Sequence, residues 1–364
     1  MATIKEVAQL AGVAPSSVTR ALSGHPNVSA TLRRRVLDAV EASGYKPNLL
    51  AASLRRGSSN TIGVLVSDII NPRIAEMVDG FETELREHGY SVLLANSHGD
   101  PCRDAENVLL LQQKRIDGLL IMCVDDRSEA LHEALKSLSV PVVLLDRQVE
   151  GFDVASAVLS DHRRGTERLT KHLLDAGHQR IAYLMGPRNT SYTGRQRMLG
   201  FTDALESSGV DLHPELVLDF RSTPELGQRA TAELFELANP PTAVIVGPNP
   251  TLVGAMRQLQ LSGIRVGRDI ALACLDDVPI AYLHNPAISA VARDMAEMAR
   301  TGAELLLAQL EGRSRPPRTV LLPTELFIRE STCQQVRSAG KRVPNSNSRG
   351  TTSAARSKRA QPAV

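Results

Sequence analysis

The sequence predicts a small all-α unit of helix-turn-helix type followed by an α/β core of two doubly wound parallel-sheet subdomains. Three observations carry this. From residue 61 to about 310, short β-branched runs alternate with helical stretches, the pattern of parallel sheets covered by helices. That cycle runs through twice. The first 60 residues show only helical periodicity, punctuated by glycine.

The first helix is set by Thr3 and Glu6, a T-x-x-E capping box, with Ile4, Val7, Ala8 and Ala11 forming an apolar stripe at i, i+3, i+4 and i+7. Gly12 ends it. Pro15 suits the first position of a second helix, which turns Val18, Ala21 and Leu22 inward and leaves Ser16, Ser17 and Arg20 facing out. Two helices joined by a glycine turn make a helix-turn-helix. A third helix starts at Ser29, a good N-cap, buries Leu32, Val36, Ala39 and Val40, and stops near Gly44. Arg33, Arg34 and Arg35 lie on or beside its exposed side. A short Leu- and Arg-rich segment, Asn48 to Arg56, follows and is too short to hold a helix alone, since about 12 residues are normally needed.

After the polar joint Gly57-Ser58-Ser59-Asn60, strands are expected at Thr61 to Val66, Ser91 to Asn96, Gly118 to Val124 and Val140 to Asp146, with helices near 72–88, 103–114 and 128–137. The second round places strands at Ala155 to Asp161, Arg180 to Gly186, Leu216 to Phe220, Thr242 to Gly247 and Ile270 to Leu275. Its helices fall near 163–176, 194–208, 225–238 and 251–261. A last helix spans roughly 294–310, and Thr319 to Ile328 reads as one extended segment. The expected units are residues 1–46, a linker at 47–60, a core at 61–333 and a disordered tail at 334–364. Within the core, approximately 61–160 with 292–318 is expected to form one subdomain and approximately 161–291 with 319–333 the other. Tandem doubly wound units imply a cleft lined by loops at the strand carboxyl ends, which suits a small ligand.

Charge is segregated along the chain. The formal net charge is +2, but residues 1–60 carry +5 and residues 331–364 carry +7, leaving about −10 on the middle. Partners respond to local fields rather than totals, so only the two ends suit phosphate. The tail reads either as a solvated solubility segment or as a weak non-specific binder of nucleic acid. Cys102, Cys123, Cys274 and Cys333 are far apart with no C-x-x-C, suggesting neither a zinc site nor a disulfide framework and fitting a reducing cytoplasm. No basic-then-apolar leader and no apolar run near 20 residues is present, so the chain is expected to be neither exported nor membrane-spanning.

Several motifs together resemble the LacI/GalR family of transcriptional regulators over nearly all of residues 2–333. They are T-I-K-E-V-A-x-L-A-G-V, S-V-T-R-A-L-S-G and G-Y-K-P-N-L-L-A-A-S-L at the start, then Asn71-Pro72, Asp146-Arg147, Arg197-x-x-Gly200-Phe201 and Cys274-Leu275-Asp276-Asp277. Leu322-Pro323-Thr324-Glu325-Leu326 with Arg329-Glu330-Ser331 closes the set. The resemblance implies a DNA-binding headpiece, a hinge helix and a core like that of periplasmic sugar-binding proteins (periplasmic binding protein-like I). It implies a repressor acting in the cytoplasm, on the nucleoid.

The resemblance places Pro15 to Leu22 in the major groove, with Pro15, Ser16 and Arg20 at base-reading positions. An arginine there can bond guanine O6 and N7 together. Pro15 offers only apolar contact, and Ala14 replaces a usual Ser, so Ser16, Ser17 and Thr19 remain to hold the phosphate backbone. Thr3, Asn27, Tyr45 and Asn48 are the other expected DNA contacts. In the hinge, Leu54 stands where a leucine wedges into the central minor-groove step, Ala51 allows close approach, and Arg55 can lie along the groove. One such headpiece reads half a site, so a homodimer on a palindromic double-stranded operator is implied. No leucine heptad appears in the tail, so a tetramerising coiled coil is not expected.

At the ligand end the resemblance carries effector positions onto Asp146, Arg197, Phe220, Asn249 and Asp276, with Arg73 and Arg293 at cleft positions where other residue types are common. Carboxylates accept from sugar hydroxyls, Arg197 donates a planar fork, and Phe220 offers a face to a ring. Three arginines against two aspartates hint at an acidic effector, a sugar acid or sugar phosphate, with a neutral sugar as the alternative. Each residue also has a plainer reading: Asp146 and Asp276 as turn formers, Asn249 as a helix cap, Phe220 as core.

An enzyme is not expected. No G-x-S-x-G, H-E-x-x-H, Walker loop or G-x-G-x-x-G occurs, so no catalytic residue, metal ligand or cofactor is assigned. An exported sugar-binding protein would lack residues 1–60. The alternative within DNA binders is a less specific, nucleoid-type protein with a vestigial sensor core.

Overall fold

A computed structural model describes residues 2–22, 25, 27–45, 57–186, 191–312 and 316–333. The headpiece comprises α1 (Ile4–Leu10), α2 (Pro15–Leu22) and α3 (Ala30–Ser43). The capping box forms: the Glu6 N–H donates to the Thr3 hydroxyl at 3.4 Å and the Thr3 N–H to the Glu6 carboxylate at 3.3 Å. Ser29 caps α3 and Gly44 ends it at φ +63°, a left-handed turn that glycine adopts without strain. Val7, Ala8, Ala11, Val18, Ala21, Val36 and Ala39 close a small core between the three helices.

The first lobe is built from β1 (Thr61–Val66), α4 (Pro72–Glu87), β2 (Ser91–Asn96), α5 (Cys102–Gln113), β3 (Gly118–Ile121), α6 (Glu129–Lys136), β4 (Val142–Leu145) and β5 (Ser156–Ser160). The second contains α7 (His162–Asp175), β6 (Ile181–Met185), α8 (Tyr192–Ser207), β7 (Val217–Asp219), α9 (Pro224–Glu236), β8 (Ala243–Val246), α10 (Asn249–Leu261), β9 (Ala271–Cys274), a short α11 (Pro279–Tyr282) and β10 (Ser289–Arg293). The chain then returns through α12 (Met295–Leu310), β11 (Thr319–Leu322) and β12 (Thr324–Phe327). Strand order is β11-β5-β4-β3-β1-β2 in one sheet and β12-β10-β9-β8-β6-β7 in the other. Among the described residues every strand pairing is parallel except β10 with β12. Each sheet has an apolar core on both faces, which is why its strands read as continuous apolar runs rather than alternating ones.

The subdomain boundaries differ from expectation at two points. Thr319–Leu322 runs parallel to β5 in the first sheet, although 319–333 was assigned to the second lobe. Arg293, assigned to the first lobe, ends a strand of the second. The reason is Pro323, where one extended stretch changes sheets between β11 and β12, a crossing that local sequence pattern does not mark. The chain thus passes between lobes at Asp161, Asp294 and Pro323. Strand β10 and helix α11 were also not predicted, because short apolar runs beside prolines give no clear period.

Gly200 shows how the second lobe is drawn tight. A Cβ there would stand 2.1 Å from the Arg163 carbonyl oxygen, so glycine lets α8 lie against α7. That approach brings Arg197, on the turn before Gly200, beside His162, the first residue of α7.

Candidate effector cleft and nucleic-acid interface

Strand carboxyl ends of both lobes meet at the cleft, as the doubly wound topology dictates. Asp146 directly follows β4 and adopts φ +53°, a sparsely populated conformation for a residue with a side chain. Its carboxylate is fully buried. It accepts from the Ser160 N–H at 2.9 Å, pairs with Arg293 Nη1, and lies 3.0 Å from His162 Nε2. Asp276, two residues beyond β9, accepts from Arg293 Nε at 2.7 Å. Arg293 therefore holds one carboxylate from each lobe.

Arg197 is anchored to the second lobe by carbonyl oxygens. It donates to Leu275 at 2.8 Å and to Gly247 at 3.5 Å, and its Nε donates to His162 Nδ1 at 3.3 Å. Accepting at Nδ1 puts the proton of a neutral His162 on Nε2, toward Asp146. Asn249 donates to Asn71 at 2.8 Å and approaches Asp276 at 3.5 Å. It is the first residue of α10, whose cap position is Pro248 with no side-chain cap bond, so the capping reading of Asn249 does not hold. Arg73 pairs with Glu76 at 2.5 Å and donates to the Arg293 carbonyl.

Burial disfavours ionised Asp146, but the His162 contact and the positive charge of Arg293 outweigh it and hold the carboxyl well below its usual range. Burial pushes the His162 imidazole down to about 4, with Arg197 and Arg293 acting in the same direction against Asp146. Burial also lowers Arg197, whereas Asp276 and Asp146 overcome burial and raise Arg293.

Six of the seven expected effector residues, Arg73, Asp146, Arg197, Asn249, Asp276 and Arg293, thus form one linked network. Phe220 is half-buried and packs against the apolar core of the second lobe just beyond β7. The sequence reading missed His162, Asp126, Thr193 and Arg195, and it named Asn71 and Arg147 only as motif residues without a role in the cleft. Asp126, buried in the first lobe, accepts from Arg195 of the second at 2.9 Å and from the Tyr192 N–H. Thr193 donates to the Asp146 carbonyl at 3.1 Å and accepts from Arg147 at 2.6 Å. His162 was discoverable, because it directly follows a predicted strand end. The others sit on loops and a helix start whose pairing only the lobe arrangement fixes.

In the headpiece, Pro15, Ser16 and Arg20 are exposed along α2, while Ser17 and Thr19 are half-buried. The Thr19 hydroxyl donates to the Pro15 carbonyl at 3.1 Å. Thr3 is exposed at the start of α1. Asn27 is exposed, with its backbone N–H on His25 Nδ1. The Tyr45 ring is half-buried against the headpiece core because the Gly44 turn folds it back, its N–H 3.3 Å from the Val40 carbonyl. Arg35 is exposed on α3, and its guanidinium donates to the Ala11 carbonyl, tying α3 to the end of α1. Asn48, Ala51, Leu54 and Arg55 lie outside the described residues.

Comparison with known proteins fits this architecture. Residues 3–48 match the profile of bacterial regulatory proteins of the lacI family, and residues 170–332 match the periplasmic binding protein-like domain. The ribose operon repressor of Haemophilus influenzae is 31% identical over 331 residues, covering 91% of this chain and 98% of that protein. The chain belongs to the LacI family. Among solved structures, the lac repressor dimer bound to operator and the anti-inducer ONPF gives a TM-score of 0.79 at 27% identity, over 91% of this chain and 99% of that one. The cellobiose complex of the transcriptional regulator CelR gives 0.69 at 29% identity, over 91% and 100%. This LacI-family protein is a transcriptional repressor and not an enzyme, like its curated relatives. No described helix is long and apolar enough to cross a membrane.

Proposed function

We propose that this LacI-family protein is a ligand-responsive repressor that binds a palindromic operator as a homodimer, with operator affinity set by a carbohydrate-like effector held between its lobes. The observation that carries the proposal is the convergence of Asp146, Arg197, Asn249, Asp276 and Arg293 at strand carboxyl ends of two lobes. Such a set of acceptors and planar donors suits a polyhydroxylated ligand. The ribose operon repressor and the CelR–cellobiose complex support a sugar-type ligand. A sugar, sugar acid or sugar phosphate fits the chemistry, and the target genes are those of carbohydrate or sugar-acid metabolism. A vestigial core would have no need to keep these polar side chains buried and mutually bonded.

Arg20, Pro15 and Ser16 read the major groove from α2, with Thr3, Ser17, Thr19 and Asn27 on the phosphate backbone. Leu54, with Asn48, Ala51 and Arg55, works in the minor groove. Dimerisation is supported by exposed apolar side chains on α10 and α11, among them Val253, Leu261, Ile280 and Tyr282, with Leu283 directly after. Footprinting of upstream DNA with salt-matched competitor tests specific binding: a discrete protected palindrome is expected, and uniform protection would sink the specific-repressor reading. A thermal-shift panel of neutral sugars, sugar acids and sugar phosphates then identifies the effector, since a saturating ligand raises stability by RT ln(1 + [L]/Kd). Effector control is refuted if the ligand that stabilises the protein leaves operator affinity unchanged.

A further inference from the structure

We propose that Arg293 is a tethered occupant of the effector site, holding with its own guanidinium the two carboxylates, one from each lobe, that ligand hydroxyls take when the effector binds. The inference rests on the reading of the cleft as the effector site. The guanidinium reaches Asp276 through both Nε and Nη2 at 2.7 Å and Asp146 through Nη1. Only 7% of its side chain is exposed, and the two aspartate side chains are 1% and 4% exposed. Asp146 directly follows β4 and Asp276 lies two residues beyond β9, so a polyol arriving at these strand ends finds its acceptors already engaged.

The anchoring of Arg293 fits exchange better than permanent cross-linking. Its backbone ends β10 at a point where the chain passes between lobes, and its carbonyl is held by Arg73. The long side chain can therefore withdraw while the main chain stays in place. The carboxylates do not depend on Arg293 alone: Asp146 keeps the Ser160 N–H and the His162 contact, and Asp276 keeps Asn249. Two acids that retain part of their bonding can trade one donor for another. Effector binding is then a competition, and the apparent affinity measures the ligand against the arginine rather than against water.

The test uses the full chain, with neither DNA nor sugar, so that failure of the repressor reading and failure of this inference remain distinct. In R293A the missing piece is ethylguanidinium. Isothermal titration at 25 °C of R293A with millimolar ethylguanidinium is expected to show saturable one-site binding, and the melting temperature, lowered by about 5 °C or more in the variant, to recover along the same curve. Ethylammonium, a point charge without the planar fork, is expected to bind at least tenfold more weakly. Wild type is expected to show no saturable heat, its site being filled. Absence of saturable binding in folded R293A overturns the proposal, because a sealed structural arginine leaves a space that solutes reach only on unfolding. Equal binding by wild type and variant overturns it as well. Should R293A not fold, R293S, which leaves nearly the same space, replaces it, with the same two outcomes decisive.

Discussion

The Arg329 guanidinium closes on both carboxylate oxygens of Asp277 at 2.7 Å. Arg329 also donates to the Ile288 carbonyl at 2.8 Å and stacks over the Phe327 ring at 5.2 Å. A residue just past the last strand therefore fixes the loop that carries Asp276. The adjacent aspartates divide their work, Asp276 facing Arg293 in the cleft and Asp277 facing Arg329. R329A strands a carboxylate that is only 16% exposed, and loss of about 2–4 kcal/mol is expected in urea unfolding. R329K keeps the charge but loses the fork, and about half that loss is expected. An R329A protein as stable as wild type would show that the loop stands without this pair.

Acid should weaken the core through His162. Its folded value, near 4, lies below the unfolded value of about 6.5, so the folded state favours the neutral ring. The stability this contributes is fully present above pH 6.5 and is lost as pH falls from 6.5 toward 4, by about 3 kcal/mol at most. Burial shifts His172 and His178 in the same direction, so they share the window. Melting curves at pH 7.5, 5.5 and 4.5 should therefore show wild type losing more than H162Q, with H162Q retaining the residual slope of the other two histidines. Identical slopes would remove His162 from the account.

Much of this architecture was legible in the sequence, and the exceptions share a cause. The strand and helix alternation from Thr61 to Cys274 follows directly from apolar period, and the Thr3, Ser29 and Gly44 signals place the headpiece helices. The proposed effector residues Asp146, Arg197, Asn249 and Asp276 were reached through the family resemblance, since each alone has an ordinary turn, cap or surface reading. What eluded pattern was pairing across lobes. Asp126 with Arg195, Thr193 with Arg147, and the change of sheet at Pro323 all depend on which elements face each other. Tyr45 was legible only as a motif residue, and the half-burial of its ring against the headpiece core follows from the left-handed glycine just before it, which reverses the chain.

Asp117 is the post to which the linker is tied. Its carboxylate accepts from the Ser58 hydroxyl at 2.6 Å, the Ser59 N–H at 2.8 Å, the Asn60 N–H at 2.7 Å and the Ser59 hydroxyl at 3.1 Å. These residues connect the headpiece side of the chain to β1, and Asp117 immediately precedes β3 in the same lobe. D117A leaves several donors without an acceptor, and about 2–3 kcal/mol of stability should be lost. Operator affinity in D117A should fall about tenfold or more, while effector binding, set across the lobes, stays within about twofold of wild type. Equal losses at both sites would point to general unfolding of the first lobe rather than to loss of the tie.

Arg20 offers the sharpest test at the DNA end. It is exposed on α2, in the last turn, one helical turn from Ser16 on the same side. Pro15 has no side-chain donor or acceptor and Ala14 no cap, so few polar groups on this helix can discriminate bases. A guanidinium bonded to guanine O6 and N7 should be worth about 1–3 kcal/mol of discrimination, whereas a phosphate contact contributes nearly equally on all sequences and about one to the salt slope. R20A is therefore expected to weaken operator binding about 5- to 150-fold in fluorescence anisotropy, to weaken binding to scrambled DNA far less, and to relax preference at one symmetric pair of base positions. R20K should recover scrambled-DNA binding but not the preference, because a point charge cannot reproduce the two-pronged contact. If R20A loses operator and scrambled DNA in equal measure and the salt slope drops by about one, Arg20 holds a phosphate. Sequence reading would then fall to Ser16 and to the hinge.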